Sequence, residues 1–246
     1  KARELINSSR LQVGLSGGAA LLTGKHNLNA FEEEKRKEAV SVALSSYDEA
    51  KEMGARFFAV ISGPHPAEGR KEAMRLLVKS LKEIGAYARE RGAIPLFLET
   101  FDWDIDKCCL IGPSSDALQI AREVAQEIPQ FALMLDLSHL PLLREDPGES
   151  VRLLAGWIGR VHLGNCVLSD RSHPAYGDQH PPFGIRGGAN DVEEVAQFFR
   201  ALLEVGYLRE GRRPFISLEV KPRPGEDPDA VLAGSKRVLL EAWAKA

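Results

Sequence analysis

Six short apolar runs recur along the chain: LQVGL (11–15), FFAVI (57–61), IPLFLE (94–99), FALMLD (131–136), GRVHLGN (159–165) and PFISLEV (214–220). Between them apolar positions repeat at helical spacing beneath charged faces, over 33–53, 67–91, 115–127, 149–157 and 190–205. A last such segment spans 228–245. Strand-length runs alternating with helical stretches predict α/β units and a parallel sheet. EMGA, EIGA, ERGA and EVGY read as helix ends, where glycine takes the left-handed cap before the next strand. No linker rich in Pro, Gly or Ser interrupts the pattern, so a single domain over 1–246 is expected.

Six strands fall two short of a closed (β/α)8 barrel. The opening KARELINSS reads as the end of a helix. The expectation is therefore a TIM barrel whose first strand, helix and second strand lie outside this chain. An open doubly wound sheet is the alternative, but its glycine-rich phosphate loop is missing. GLSGG (14–18) runs into AALLTGKHN, which does not read as a helix opening.

Composition adds limits more than leads. The 246 residues are 44% hydrophobic and 27% charged, ordinary for a globular protein. A formal charge of -3, with acidic and basic residues interleaved, gives no electrostatic case for nucleic acid. No apolar run has the length of a membrane span, and the start does not resemble a signal peptide. Cys108, Cys109 and Cys166 make neither a disulfide framework nor a CxxC knuckle. A reducing, cytoplasmic location is the expectation.

The chemistry lies in how the strands end. IPLFLE closes on Glu99, FALMLD on Asp136 and FISLE on Glu219, and RVH sets His162 within a strand. Strand C-termini of a parallel barrel share one rim, where active sites are built. Three buried carboxylates need compensation, and a divalent cation supplies it. Carboxylates with one imidazole suit Mn²⁺, Mg²⁺ or Co²⁺ and also accept Zn²⁺. Any one such acid alone would read as a helix cap or an ion-pair partner.

Further candidates surround this set. His139, three residues after Asp136, is expected to rise from a loop above the rim and meet a substrate oxygen or a second metal. Asp178 and His180 share DxH spacing in the long segment 162–195, as substrate contacts, supporting groups or ligands. Lys221 points to the same side as Glu219 and is placed to hold a substrate oxygen or pair with a rim carboxylate. FDWDIDK (101–107) lacks the glycine and terminal glutamate of a calcium loop and is set aside.

These motifs together (LFLE at Glu99, MLDLSH at Asp136 and His139, VHLGN at His162, ISLE at Glu219) resemble the xylose isomerase-like TIM barrel superfamily. That group holds sugar and sugar-phosphate isomerases and epimerases together with AP endonuclease family 2 repair enzymes. The resemblance implies metal ligation by Glu99, Asp136, His162 and Glu219. It implies acid/base proton transfer by Glu99 and Glu219 from opposite faces of a sugar, through a metal-stabilised enediolate. His139 matches a substrate-contacting histidine, and Asn165 of VHLGN joins Asp178, His180 and Lys221 as a candidate substrate contact. Two departures stand out. Leu168 occupies the place of a customary arginine, and LQVGLSGG lacks the histidine of the repair branch, with only His65 displaced in the next strand.

The expected function is a divalent-metal-dependent sugar or sugar-phosphate isomerase/epimerase, with Mn²⁺ the leading cofactor. Alternatives are a keto-sugar lyase using the same enediolate, an AP-endonuclease-like phosphodiester hydrolase, and a non-catalytic carbohydrate-binding subunit. The expected partner is a small sugar or sugar phosphate, with no nucleic acid and no membrane. Barrels of this kind often form dimers or tetramers, which leaves a homo-oligomer open.

Overall fold

The computed structural model describes residues 2–9 and 11–246. In chain order the elements are α1 (Ala2–Ser9), β1 (Leu15–Ser16), α2 (Gly18–Thr23), α3 (Glu33–Glu52), β2 (Phe58–Ile61), α4 (Arg70–Glu90) and β3 (Leu96–Glu99). Then follow α5 (Ser114–Val124), β4 (Ala132–Asp136), α6 (His139–Leu143), α7 (Pro147–Leu153), β5 (Ile158–Leu163), α8 (Val192–Glu204), β6 (Phe215–Leu218) and α9 (Pro228–Lys245). Among the described residues, no helix is long and apolar enough to cross a membrane.

Two compact units make up the chain. One takes the sequence up to Glu99 with Cys109–Ile111 and Asp116–Leu133; the other takes Thr100–Cys108, Gly112–Ser115 and Met134–Ala246.

In the first unit β1 pairs with β2 and β2 with β3, all parallel, in a register that sets Ile61 beside Glu99. Every residue of β2 and β3 is buried, as expected of parallel strands covered by helices. Tyr47 of α3 meets Phe58 edge to face, and Ala39, Ala43, Leu77, Leu81 and Ile84 fill the helix contacts. Arg36 is enclosed there, donating to Glu33, Ser80 and Glu83 at 2.8 Å each.

In the second unit β5 pairs with β6 in parallel, His162 opposite Ser217. Backbone bonds continue the ladder past the strand ends: Thr100 N to Met134 O at 3.3 Å, Leu137 N to His162 O at 3.1 Å, and Glu219 N to Leu163 O at 2.9 Å. They tether the segments that follow β3, β4 and β6.

Three local expectations are corrected. Residues 11–14 are not strand, and β1 is only two residues long; a Cβ on Gly14 would lie inside the Phe57 ring. AALLT is helical after all, forming α2 from Gly18. EIGA is no helix end: α4 runs through Gly85 because Ile128 packs where a side chain would stand, 2.7 Å from an added Cβ. At EMGA, ERGA and EVGY the glycines do adopt positive φ.

Candidate active site

The second unit gathers six of the residues singled out from sequence. Asp136 ends β4, His139 opens α6, His162 lies in β5, Asp178 and His180 lie in the loop before α8, and Glu219 directly follows β6. Glu99, the last residue of β3, is a buried carboxylate of the first unit.

Asp136 is fully buried and oriented by its neighbour. Ser138 donates from its amide and its hydroxyl to Asp136 Oδ1. Oδ2 takes no hydrogen bond among the described residues and lies 3.6 Å from His162 Nδ1. Burial pushes this carboxyl up, but His139, His162 and His180 together outweigh it and hold it well below the usual carboxylate range. The other side of His162 Nδ1 faces Glu219 Oε2 in close contact. Asp136, His162 and Glu219 thus each present a ligand atom, all within 4.8 Å of one another. Buried carboxylate oxygen without a donor, beside imidazole and a second carboxylate, fits a divalent cation.

His139 is not in a loop. It is the fully buried first residue of α6, packed against Phe101 with the rings tilted by 33° and their centroids 4.5 Å apart. Its Nδ1–H donates to Thr100 O at 2.6 Å, which turns Nε2 toward Asp178 Oδ1 at 3.1 Å. Helix α6 forms there because Leu140, Leu142 and Leu143 are buried and Pro141 sits in the first turn, where its missing N–H costs nothing.

Asp178 Oδ1 is shared with His180 Nε2 at 2.9 Å, and Oδ2 lies 3.3 Å from Lys107 Nζ. Burial raises the Asp178 carboxyl, yet the two imidazoles overcome it and keep it ionised far below its ordinary value. Burial lowers the His180 imidazole, and Asp178, Asp136 and Glu219 reverse this and raise it. His180 holds a left-handed backbone, φ 48°, fixed by Lys221 N donating to its carbonyl at 2.7 Å. Gly164 makes room for its ring: an added Cβ would come within 2.8 Å of His180 Nδ1 and 3.0 Å of Glu219 O.

Lys221 and Asn165 also make structural contacts. The Lys221 side chain is exposed, and its backbone amide anchors His180. Asn165 is buried, its Oδ1 accepting from the amides of Cys166 and Asn190 and its Nδ2 donating to Pro182 O, so its side chain is engaged in shaping the loop. Asn190 closes the same loop onto Leu137 O and Gly164 O.

Comparison with known proteins now decides the family. The profile described as xylose isomerase-like TIM barrel matches residues 2–241. The chain belongs to that family.

Solved structures of the same fold include a D-tagatose 3-epimerase-like protein, with TM-score 0.75 and 20% identity over 98% of this chain and 80% of that one. An L-ribulose 3-epimerase aligns with TM-score 0.74 and 18% identity, covering 99% and 79%. The IolI protein with a zinc atom aligns with TM-score 0.74 and 16% identity, covering 100% and 82%. No curated protein sequence matches. The TIM-barrel expectation holds, and the open doubly wound alternative falls.

Three residues of this xylose isomerase-like site escaped the sequence reading: Asp102, Asp106 and Lys107 of FDWDIDK. The buried Asp102 carboxylate accepts from the amides of Ile105, Asp106 and Lys107 at 2.7 Å each, closing a tight turn. That turn directs Asp106 Oδ2 to Asp178 N and Gln179 Nε2, at 3.0 and 2.8 Å. The available signal was an aspartate three to five residues ahead of amides it can accept from.

Proposed function

We propose that this chain is a metal-dependent isomerase or epimerase acting on a sugar or sugar phosphate. The observation that carries the reading is the convergence of Asp136, His162 and Glu219, with Asp136 Oδ2 taking no hydrogen bond among the described residues. Glu99 is proposed as the fourth ligand. It closes β3, and Thr100 directly after it donates to Met134 O, two residues before Asp136. The carboxylate-rich donor set favours Mn²⁺, with Mg²⁺, Co²⁺ and Zn²⁺ as the other candidates. When bound, the cation would supply the positive charge that stabilises an oxyanion developing at the substrate carbonyl.

The chain's own residues then have separate tasks. Glu219, whose side chain is partly exposed, removes the proton next to the carbonyl. Glu99 returns a proton on the opposite face of the sugar. His139 and His180 exchange their shared contact with Asp178 Oδ1 for substrate oxygens and hold the reacting carbon between the carboxylates, with Thr100 O keeping the His139 ring in place. Lys221 extends an exposed ammonium toward a substrate hydroxyl or phosphate. Positioned acid/base groups of this kind contribute about 10²–10⁴ in rate.

The test is deuterium wash-in from D₂O across a panel of ketoses, aldoses and their phosphates, with each of the four ions. Exchange at one carbon without loss of mass is expected, and it should fall by on the order of 10³ in Glu219→Gln and in Glu99→Gln. Release of a leaving group would instead identify a lyase. Tight sugar binding without exchange would identify a binding subunit.

A further inference from the structure

A second group of ligand-type side chains adjoins the first. Asp136, His139 and His180 also present ligand atoms within 4.8 Å of one another. Asp178 Oδ1 lies 3.1 Å from His139 Nε2 and 2.9 Å from His180 Nε2. Judged by donor chemistry alone, two imidazoles between two carboxylates make a second divalent-cation site.

One side chain argues otherwise. Lys107 Nζ lies 3.3 Å from Asp178 Oδ2, donates to Asp178 O at 3.1 Å and lies 3.4 Å from Asp106 Oδ1. This ammonium is held in place by construction. The Asp102 turn fixes the backbone of residues 105–107, and Asp106 binds the amide of the very residue that Lys107 neutralises. Asp178 therefore already has a tethered positive charge on one oxygen and imidazoles on the other. A dication brought to the same carboxylate would meet that fixed charge at close range, on an Asp178 side chain that is only 1% exposed.

We propose that Lys107 takes the place of a second metal ion and limits this site to a single cation. Lys107 is thereby a positioning residue: it satisfies Asp178 Oδ2, so that His139 and His180, both held on Oδ1, can turn from it to substrate oxygens and are not drawn into ligation. The site is set for one-ion proton transfer, not for chemistry that divides charge between two ions. The inference rests on the reading that Asp136, His162 and Glu219 bind the first ion.

The experiment measures ions per chain. The full chain is stripped with chelator, dialysed against excess Mn²⁺ or Zn²⁺, and assayed by elemental mass spectrometry and titration calorimetry. The expected result is one ion in the wild type, two in Lys107→Met, one in Lys107→Arg, and one again in Lys107→Met combined with His180→Ala. A purely structural role for Lys107 would weaken uptake or lower Tm; it would not add an ion.

Lys107→Gln serves as a second variant, with circular dichroism checking the fold of each. Two ions in the wild type or in Lys107→Arg would overturn the proposal. So would a single ion in folded Lys107→Met and Lys107→Gln, or failure of both to fold. If the wild type binds none while Lys107→Met binds one that His180→Ala removes, the first-ion reading fails and the role of Lys107 stands. If neither binds any ion, both fail.

Discussion

The amide and the hydroxyl of Ser138 both donate to one oxygen of Asp136, Oδ1, at 2.6 Å each. This double grip leaves Oδ2 facing His162, with no hydrogen-bond donor among the described residues. Removing the hydroxyl frees the carboxylate to turn. Ser138→Ala should weaken metal binding by about 10-fold, the lower end of what outer-shell partners contribute. Titration calorimetry reads it directly, and an unchanged Kd would show that the amide alone orients Asp136.

Gly164 tests the close packing around His180. An alanine there places Cβ 2.8 Å from His180 Nδ1, with Glu219 O and Ser138 Cβ at 3.0 and 3.1 Å. Something must shift: Glu219 O is backbone, so the His180 ring is the neighbour that gives. Gly164→Ala should cost about 1–3 kcal/mol, as overpacking does, and displace His180 from Asp178. Urea unfolding gives the first quantity. A crystal structure of the variant with the 2.9 Å His180–Asp178 contact intact would contradict the second.

The cysteines should react unequally. Burial pushes the Cys166 thiol up, with help from Asp136 and Asp178, to about 12. A pKa raised that far leaves almost no thiolate at pH 8, and Cys109 is buried as well. Cys108 is exposed, although partial burial and Asp102 also raise its thiol. Iodoacetamide at pH 8 should label native protein at Cys108 alone and denatured protein at all three. Rapid native labelling of Cys166, mapped by mass spectrometry, would refute its enclosure.

Arg36 offers a check on stability away from the site. Its guanidinium is enclosed and bound to Glu33, Glu83 and Ser80, while both glutamates remain about 40% exposed. Arg36→Ala should therefore destabilise by roughly 2 kcal/mol, less than a fully enclosed pair, because the glutamates can rehydrate. Arg36→Met, which refills the space, should cost less. Chemical denaturation compares them, and an equal loss in both would mean the charge matters more than the packing.

The rim residues were legible because parallel strands end on one side and side chains alternate along them. Asp136, His162 and Glu219 followed from period and direction alone. LSHLPLL reads as a loop because α6 is only five residues, too short for its periodicity to stand out. Gly85 misled for a similar reason: a glycine inside a helix looks like an ending unless the side chain filling its space, Ile128, is known. Lys107 was invisible in principle. Its bond to the Asp178 carbonyl links positions 71 residues apart, and nothing in FDWDIDK announces that destination.

The turn closed by Asp102 makes all its carboxylate bonds within five residues. Its framework is thus insulated from whatever stands at its tip. Exchanging the side chains at 106 and 107 would rewrite the electrical surroundings of Asp178 while sparing the strands on which Asp136, His162 and Glu219 depend. The charge at this corner of the protein can therefore vary independently of the scaffold that presents it.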